Sequence, residues 1–313
     1  MNDQPFPHES HTMNLFTGLS AFPLTPLRDD TVDETAYAGL IRRLADAGVD
    51  SITALGSTGS YAYLSREERR TALRIATENA GDVPVFAGIG ALRTSHVRAL
   101  AEDAQNAGVA GVLLAPMTYQ THTAEDVYGL YADVTRDLSV PLIVYDNPGT
   151  THFTFTDDLY QRITALPNVA SIKIPGLPDD PDAAAARVAQ IRSHLPAHVT
   201  IGISGDPAAA TGLIAGCEAW YSVIGGTLPQ PALTITRAVQ RGDAAAAIAE
   251  SERLRPLWEL FGRAGSLRVM AAVAEHYGLA SHSCLPLPIR GLGDAARAEA
   301  IALIERLGLQ PTP

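Results

Sequence analysis

The sequence predicts an α/β protein, a (β/α)8 barrel followed by a C-terminal helical appendix. Short apolar segments alternate with amphipathic ones every ~25–35 residues, the rhythm of βα units in a parallel arrangement. The apolar segments run without polar alternation, so the strands they form are buried on both faces. Eight such units occupy about 210 residues, which suits a closed barrel. A doubly wound open sheet is the runner-up. It would need a glycine-rich dinucleotide turn after the first strand, and Ala21-Phe-Pro-Leu-Thr-Pro26 is not one.

The elements follow in order. Residues 16–22 form a first strand, ended by Pro23 and Pro26. Asp33 caps a helix over 34–47 that stops at Gly48. Residues 50–55 are strand two, and the loop Gly56-Ser-Thr-Gly59 follows. Ser65-Arg-Glu-Glu68 reads as a capping box. Strand three spans 83–88 and its helix 95–107. Strand four is 110–114, with a helix over 124–138. Strand five is 140–145, with a helix over 156–166. Strand six is 169–174, with a helix over 182–194. Strand seven is 199–203, with a helix over 207–215, and strand eight is 219–224. Helical patterns then cover 232–241, 244–264, 266–277 and 293–307. The first completes the barrel, giving a barrel domain over 15–241 and an extension over 242–313. No Ser/Pro/Gly linker separates the two, so the extension is expected to pack on the barrel. Residues 1–14 read as a flexible leader, with Met13 a second possible start.

Composition narrows the function. A net charge of −11 disfavours nucleic acid and anionic membrane as partners, since both need basic patches. Two cysteines, Cys217 and Cys284, are too few for a disulfide framework and suggest a reducing compartment. No run approaches the ~20 apolar residues of a membrane span, and the first residues lack the pattern of a secretory signal. The expected location is cytoplasmic.

The chemistry centres on Val169-Ala-Ser-Ile-Lys173-Ile, an apolar strand ending in the only lysine of the chain. Functional side chains of such barrels sit at the C-terminal strand ends. Strand two ends in Ser57 and Thr58 between glycines, strand five in Tyr145-Asp-Asn-Pro148, and strand six in Lys173. An amine buried in an apolar stave loses its proton more readily and can attack a carbonyl. A phenol can shuttle the protons of that addition. Small hydroxyls and backbone N–H groups of a glycine-rich loop can hold a carboxylate. Together the three ends specify a Schiff-base site for a 2-oxo acid. Taken singly, Lys173 reads as a chance surface residue, Tyr145 as core and the Gly-Ser-Thr-Gly loop as a turn.

Several stretches carry a resemblance. They are Gly56-Ser-Thr-Gly59, Leu64-Ser-Arg-Glu-Glu-Arg69, Val83-Pro-Val-Phe-Ala-Gly-Ile-Gly90, Pro141-Leu-Ile-Val-Tyr145-Asp-Asn-Pro148, Ser171-Ile-Lys173 and Ser204-Gly-Asp206. In this order the chain resembles the dihydrodipicolinate synthase / N-acetylneuraminate lyase family of class I aldolases. The resemblance implies a TIM barrel assembled as a homo-oligomer, dimer or tetramer, with a small 2-oxo acid (pyruvate or a sugar-acid derivative) bound as an imine and no cofactor or metal. It implies Lys173 as the Schiff-base lysine and Tyr145 as the proton shuttle. Ser57, Thr58 and Gly59 would hold the carboxylate, with Ser57 linking Tyr145 to solvent. Thr150, Thr118 and Asp206 fall at further substrate-binding positions.

The departures from the family pattern are specific. Ser60 stands where the family loop carries Glu, and Thr150 where the synthase carries a carboxylate-gripping Arg. Thr118 stands where the synthase carries a relay Tyr, and Pro207 where the sialic-acid lyases carry an acidic residue. Loss of a bidentate Arg removes the main device for a second carboxylate. The expectation is a Schiff-base lyase on a 2-oxo acid, by retro-aldol cleavage or condensation with pyruvate, or by dehydration or deamination of a 2-oxo-3-deoxy-type acid. Alternatives are a catalytically impaired member serving as a 2-oxo-acid-binding or regulatory protein, a true dihydrodipicolinate synthase, and a metal-dependent class II aldolase. His152, near the mouth, reads as a solvated loop residue.

Overall fold

The computed structural model describes residues 15–311; the expected leader lies outside them. Eight parallel strands close into a barrel in chain order: Gly18–Ala21, Ser51–Ala54, Val85–Gly88, Gly111–Leu114, Leu142–Tyr145, Val169–Ile174, Thr200–Ser204 and Ala219–Ser222. Every residue of these strands is buried except Ser204 at the mouth, which is why their sequences show no polar alternation. The helices between them are cut by local chemistry. Asp33 accepts from the Ala36 N–H at 3.1 Å, Gly48 ends that helix in the left-handed region, and Ser65 with Glu68 makes both arms of a capping box.

Two layers of packing hold the barrel. Outward-facing strand residues such as Ile52, Val112, Val144, Ile172 and Ile201 join the helices in one large core. Inward-facing Phe86, Leu113, Ile143, Tyr145 and Tyr221 fill the lumen with Phe16 and Phe22. Burying each such side chain contributes about 1.5–3 kcal/mol. The lumen also carries satisfied hydroxyls: Ser20 to Thr53 at 2.8 Å, and Ser171 to Tyr221 and Thr200 at 3.0 and 2.9 Å. Gly202 makes room for Tyr221, since a Cβ there would lie 2.2 Å from its ring.

Four helices follow the barrel's last one, at Ala244–Arg253, Arg255–Ala264, Ser266–His276 and Asp294–Arg306. The single helix expected over 244–264 is broken at Leu254, which ends one helix and starts the next. Pro256 lies in the first turn of the second helix and offers no N–H to continue the first. Ala271, Ala274, Cys284 and Leu285 pack on Leu24 and Leu40 of the barrel. A two-stranded hairpin, Leu27–Arg28 with Thr31–Val32, was not apparent from the sequence. Asp29 and Asp30 turn it with φ of 51° and 62°, where Asn-Gly is the usual signal. It anchors the C-terminal loop through the Leu27 N–H to the Cys284 carbonyl, 2.8 Å. Among the described residues no helix is long and apolar enough to cross a membrane.

Candidate active site

The C-terminal mouth of the barrel opens into a cavity of about 520 Å³. The register of two staves sets its floor. Tyr145 pairs with Lys173, and Lys173 pairs on its other side with Gly202. In-register residues of parallel strands project to the same face, so phenol and amine emerge side by side. The Lys173 Nζ lies 4.0 Å from the Tyr145 ring centroid, 5.6 Å from Phe22 and 5.9 Å from Tyr221.

The amine is 96 % buried as a residue, at 4 % exposure, and burial lowers its pKa from 10.5 to about 7. Asp206 and Asp146 oppose that shift. Desolvation dominates because neither acid touches the amine through any hydrogen bond or ion pair among the described residues. Near neutral pH much of Lys173 is therefore a free amine.

The Tyr145 hydroxyl sits in a small network. It lies 3.1 Å from the Ser57 Oγ and accepts from the Asn147 Nδ2 at 2.8 Å. Burial pushes its pKa up to about 12, while Ser57 and Asn147 pull it down. A phenol held protonated, with a hydroxyl partner reaching toward solvent, can pass protons in either direction.

The loop after strand two is held in an unusual shape. Leu55 and Ser60 adopt φ of 56° and 53°, a region that costs a side-chain-bearing residue of order 1 kcal/mol or more. This conformation turns Ser57, Thr58 and Ser60 onto the cavity wall. Thr58 and Ser60 are 4 % and 3 % exposed, yet neither hydroxyl has a partner among the described residues.

Of the residues expected at the site, Lys173, Tyr145, Ser57, Thr58 and Thr150 line the cavity and Gly59, Thr118 and Asp206 do not. Gly59 is backed against strand two, where a Cβ would meet Leu55 backbone atoms at 3.3 Å. The Thr118 hydroxyl donates to the Thr151 carbonyl at 2.7 Å. Asp206 is buried, and its carboxylate accepts from Trp220 Nε1 and from the Val223 and Ile224 N–H groups at 3.1, 3.1 and 2.7 Å. Its oxygens hold strand eight and its loop, and the residue lies off the cavity lining. His152 is exposed and off the cavity, as expected of a solvated loop residue.

Sequence reasoning missed several wall residues. Phe22 and Tyr221 stand at or beside strand ends, where the barrel rule could have found them. Asn147 lies within the quoted Tyr145-Asp-Asn-Pro148 motif, two residues past Tyr145. Gly265, Ser266, Leu267 and Ile289 come from the appendix, and no local signal places them there. Behind the wall, Asp146 accepts from the Tyr160 hydroxyl at 2.5 Å and its Oδ1 is buried without a partner. Burial raises its pKa to about 6. Among the described residues no group of three His, Cys, Asp or Glu side chains could hold a metal.

The chain is similar to known proteins over nearly its whole length. The model of the dihydrodipicolinate synthetase family matches residues 15–307. The 4-hydroxy-tetrahydrodipicolinate synthase of Phenylobacterium zucineum (strain HLK1) is 31% identical over 298 residues, 94% of this chain and 98% of that one. A crystal structure of dihydrodipicolinate synthase from Agrobacterium tumefaciens str. C58 superposes with a TM-score of 0.90 at 44% identity, covering 95% of this chain and 99% of that one. A prophage protein of the same family from E. coli K12, solved in complex with pyruvate, superposes with a TM-score of 0.86 at 24% identity over 95% of this chain and 100% of that one, and so speaks for the fold alone.

Proposed function

Because the chain belongs to the dihydrodipicolinate synthetase family of class I aldolase-type lyases, we propose that it makes or breaks a bond next to the carbonyl of a 2-oxo acid, with Lys173 as the imine-forming amine. The observation that carries the reading is the pairing of Lys173 with Tyr145 at the cavity floor, 4.0 Å from amine to ring. The free amine adds to the C2 carbonyl, and the carbinolamine loses water to give a protonated imine. Tyr145 delivers the proton that lets the hydroxyl leave and recovers it on hydrolysis. Thr58 and Ser57 hold the C1 carboxylate. In the cleavage direction a C4 hydroxyl loses its proton, the C3–C4 bond breaks, and the electron pair is held as an enamine. Protonation at C3 and addition of water then release pyruvate and regenerate the amine. Loss of a C4 leaving group from the same imine is the other outcome available to this site.

The cavity of about 520 Å³ has room for pyruvate above Lys173. The proposal is tested by incubating the protein with pyruvate and borohydride and mapping the mass adduct. A reduced adduct on the peptide carrying Lys173, absent in Lys173→Arg, is expected. An adduct that persists in the variant, or none in the parent, overturns the mechanism.

A further inference from the structure

Lys173 stands between two buried acids, one from each neighbouring stave. Strand six pairs with strand seven on one side and strand five on the other. Asp206 lies just past the end of strand seven, and Asp146 is the first residue past strand five. They are 2 % and 3 % exposed. Both favour the charged form of the amine, Asp206 more than Asp146, against the larger effect of burial.

The two carboxylates are differently engaged. Asp206 accepts from three N–H donors, those of Trp220, Val223 and Ile224. Asp146 accepts one side-chain hydrogen bond, from the Tyr160 hydroxyl at 2.5 Å, and its Oδ1 is buried without a partner among the described residues. The polar groups that face Asp146 come from four elements. Tyr160 belongs to helix Asp157–Thr164. Tyr131, from helix Ala124–Thr135, donates its hydroxyl to the Leu114 carbonyl at 2.6 Å. Arg187, from helix Pro181–Ser193, is paired with Asp157 at 2.8 Å. Tyr145, its neighbour in the chain, has its hydroxyl on Ser57 and Asn147. Lys173 of strand six accepts the Asp146 N–H on its carbonyl at 3.0 Å and is the one fully buried cation among these groups. A bare carboxylate oxygen in the interior is costly unless a positive charge lies near it.

Imine formation supplies that charge. The neutral amine, the C2 carbonyl and one proton give a protonated imine and one water, so the cavity floor gains a positive nitrogen. We propose that Asp146 is a positioning residue that sets the pH range of imine formation, its carboxylate serving with Asp206 as the counter-charge to the protonated imine from behind the stave. This rests on the imine reading and adds to it a residue that touches neither substrate nor amine. Asp146 titrates near 6 and Lys173 near 7, both displaced chiefly by burial. Above its pKa the Asp146 carboxylate is charged and favours the positive nitrogen over the neutral amine. Below that pKa it is protonated and the help is lost.

The test uses the intact protein with pyruvate and cyanoborohydride. The readout is the pyruvate concentration giving half-maximal initial trapping rate, followed from about pH 5 to about pH 9. Asp146→Asn keeps the shape and an acceptor for Tyr160 but removes the charge. It is expected to need ~3-fold or more pyruvate near pH 8 and to meet the parent below about pH 6. Tyr160→Phe removes the one donor to Asp146 and so raises the pH at which its carboxylate ionises. It is expected to follow Asp146→Asn to a higher pH than the parent does and to rejoin the parent above it. An Asp146→Asn curve that superposes on the parent, or lies a constant factor from it at every pH, overturns the proposal, because a merely structural role would act without regard to pH. If Asp146→Asn does not fold, a Tyr160→Phe curve that superposes on the parent overturns it instead. If the parent traps no pyruvate, the imine reading has failed first.

Discussion

The two ends of the cavity are held by different kinds of backbone. At the inner end, Lys173 and Tyr145 are set by strand register, each flanked by hydrogen-bonded staves. At the outer end, Ser60 comes from a loop, Thr150 from a short helix, Ser204 from the last residue of strand seven and Ser266 from the start of an appendix helix. A register error at the inner end would turn every side chain of a stave to the other face. A change at the outer end moves one side chain. Lys173 and Tyr145 therefore sit where the fold leaves no freedom, and Ser60, Thr150 and Ser266 where substitution is cheap. The departures noted in the sequence fit that division. Ser60 and Thr150 lie on the outer wall, while Lys173, Tyr145 and Ser57 lie on the inner one.

The largest expected effect probes the inner end alone. The Lys173 amine titrates near 7 when folded and at 10.5 in the reference state. Between these values the unfolded chain binds more protons, so stability rises as pH climbs from 7 to 10.5, and the cost of burial is fully present below pH 7. At ~1.36 kcal/mol per pKa unit, that cost is at most about 5 kcal/mol. Lys173→Met is expected to be inactive and, by urea unfolding, more stable than the parent by a few kcal/mol at pH 6. The difference should fade toward pH 10.5. A difference that is flat with pH would mean that the inner end does not desolvate its amine, and the contrast between the two ends would go with it.

Asp206 tests where the inner end stops. Asp206→Ala strips the acceptor from an indole and two backbone N–H groups, all in the interior. The expected loss is on the order of 3 kcal/mol, measured as a lower unfolding midpoint, with the relative trapping of different 2-oxo acids preserved. Unchanged stability with altered preference among those acids would return Asp206 to the substrate wall.

The inner end was legible in the sequence because it needs only two facts: where strands end, and that strand ends face the mouth. Lys173, Tyr145 and the Ser57-Thr58 loop follow from them. Asp206 also sits just past a strand end, and the rule does not say whether a carboxylate's oxygens are already taken, here by Trp220 and the backbone. Thr118 and Gly59 likewise lie off the cavity, one donating to the Thr151 carbonyl and the other packed against Leu55. The contribution of Ser266 and Ile289 could not be read at all. It depends on how the appendix folds back, through the hairpin at Leu27 and the packing of Ala271 and Leu285 on Leu24, and no local pattern encodes that. The break at Leu254 was readable in principle, since Pro256 marks it.

Asn147 lies on the boundary between the two ends and gives the smallest and most diagnostic effect. It caps the short helix Pro148–Thr151, whose Thr150 reaches the outer wall. Its side chain donates to the Tyr145 oxygen at 2.8 Å and reaches Ser57 at 3.5 Å. That donation favours the phenolate and leaves the Tyr145 proton to point at Ser57 or into the cavity. Asn147→Leu removes the donor without adding charge. Its expected effect is about 1.4 kcal/mol, a tenfold loss in turnover, within the range of one hydrogen bond to an ionising group. The alkaline limb of the pH–rate profile should move up, because the Tyr145 pKa rises when a donor to its oxygen is lost. Asn147→Asp should move that limb further, since a carboxylate there repels the phenolate as well. If both variants change KM and leave the alkaline limb in place, Asn147 serves the outer wall, and Tyr145 is tuned by Ser57 and burial alone.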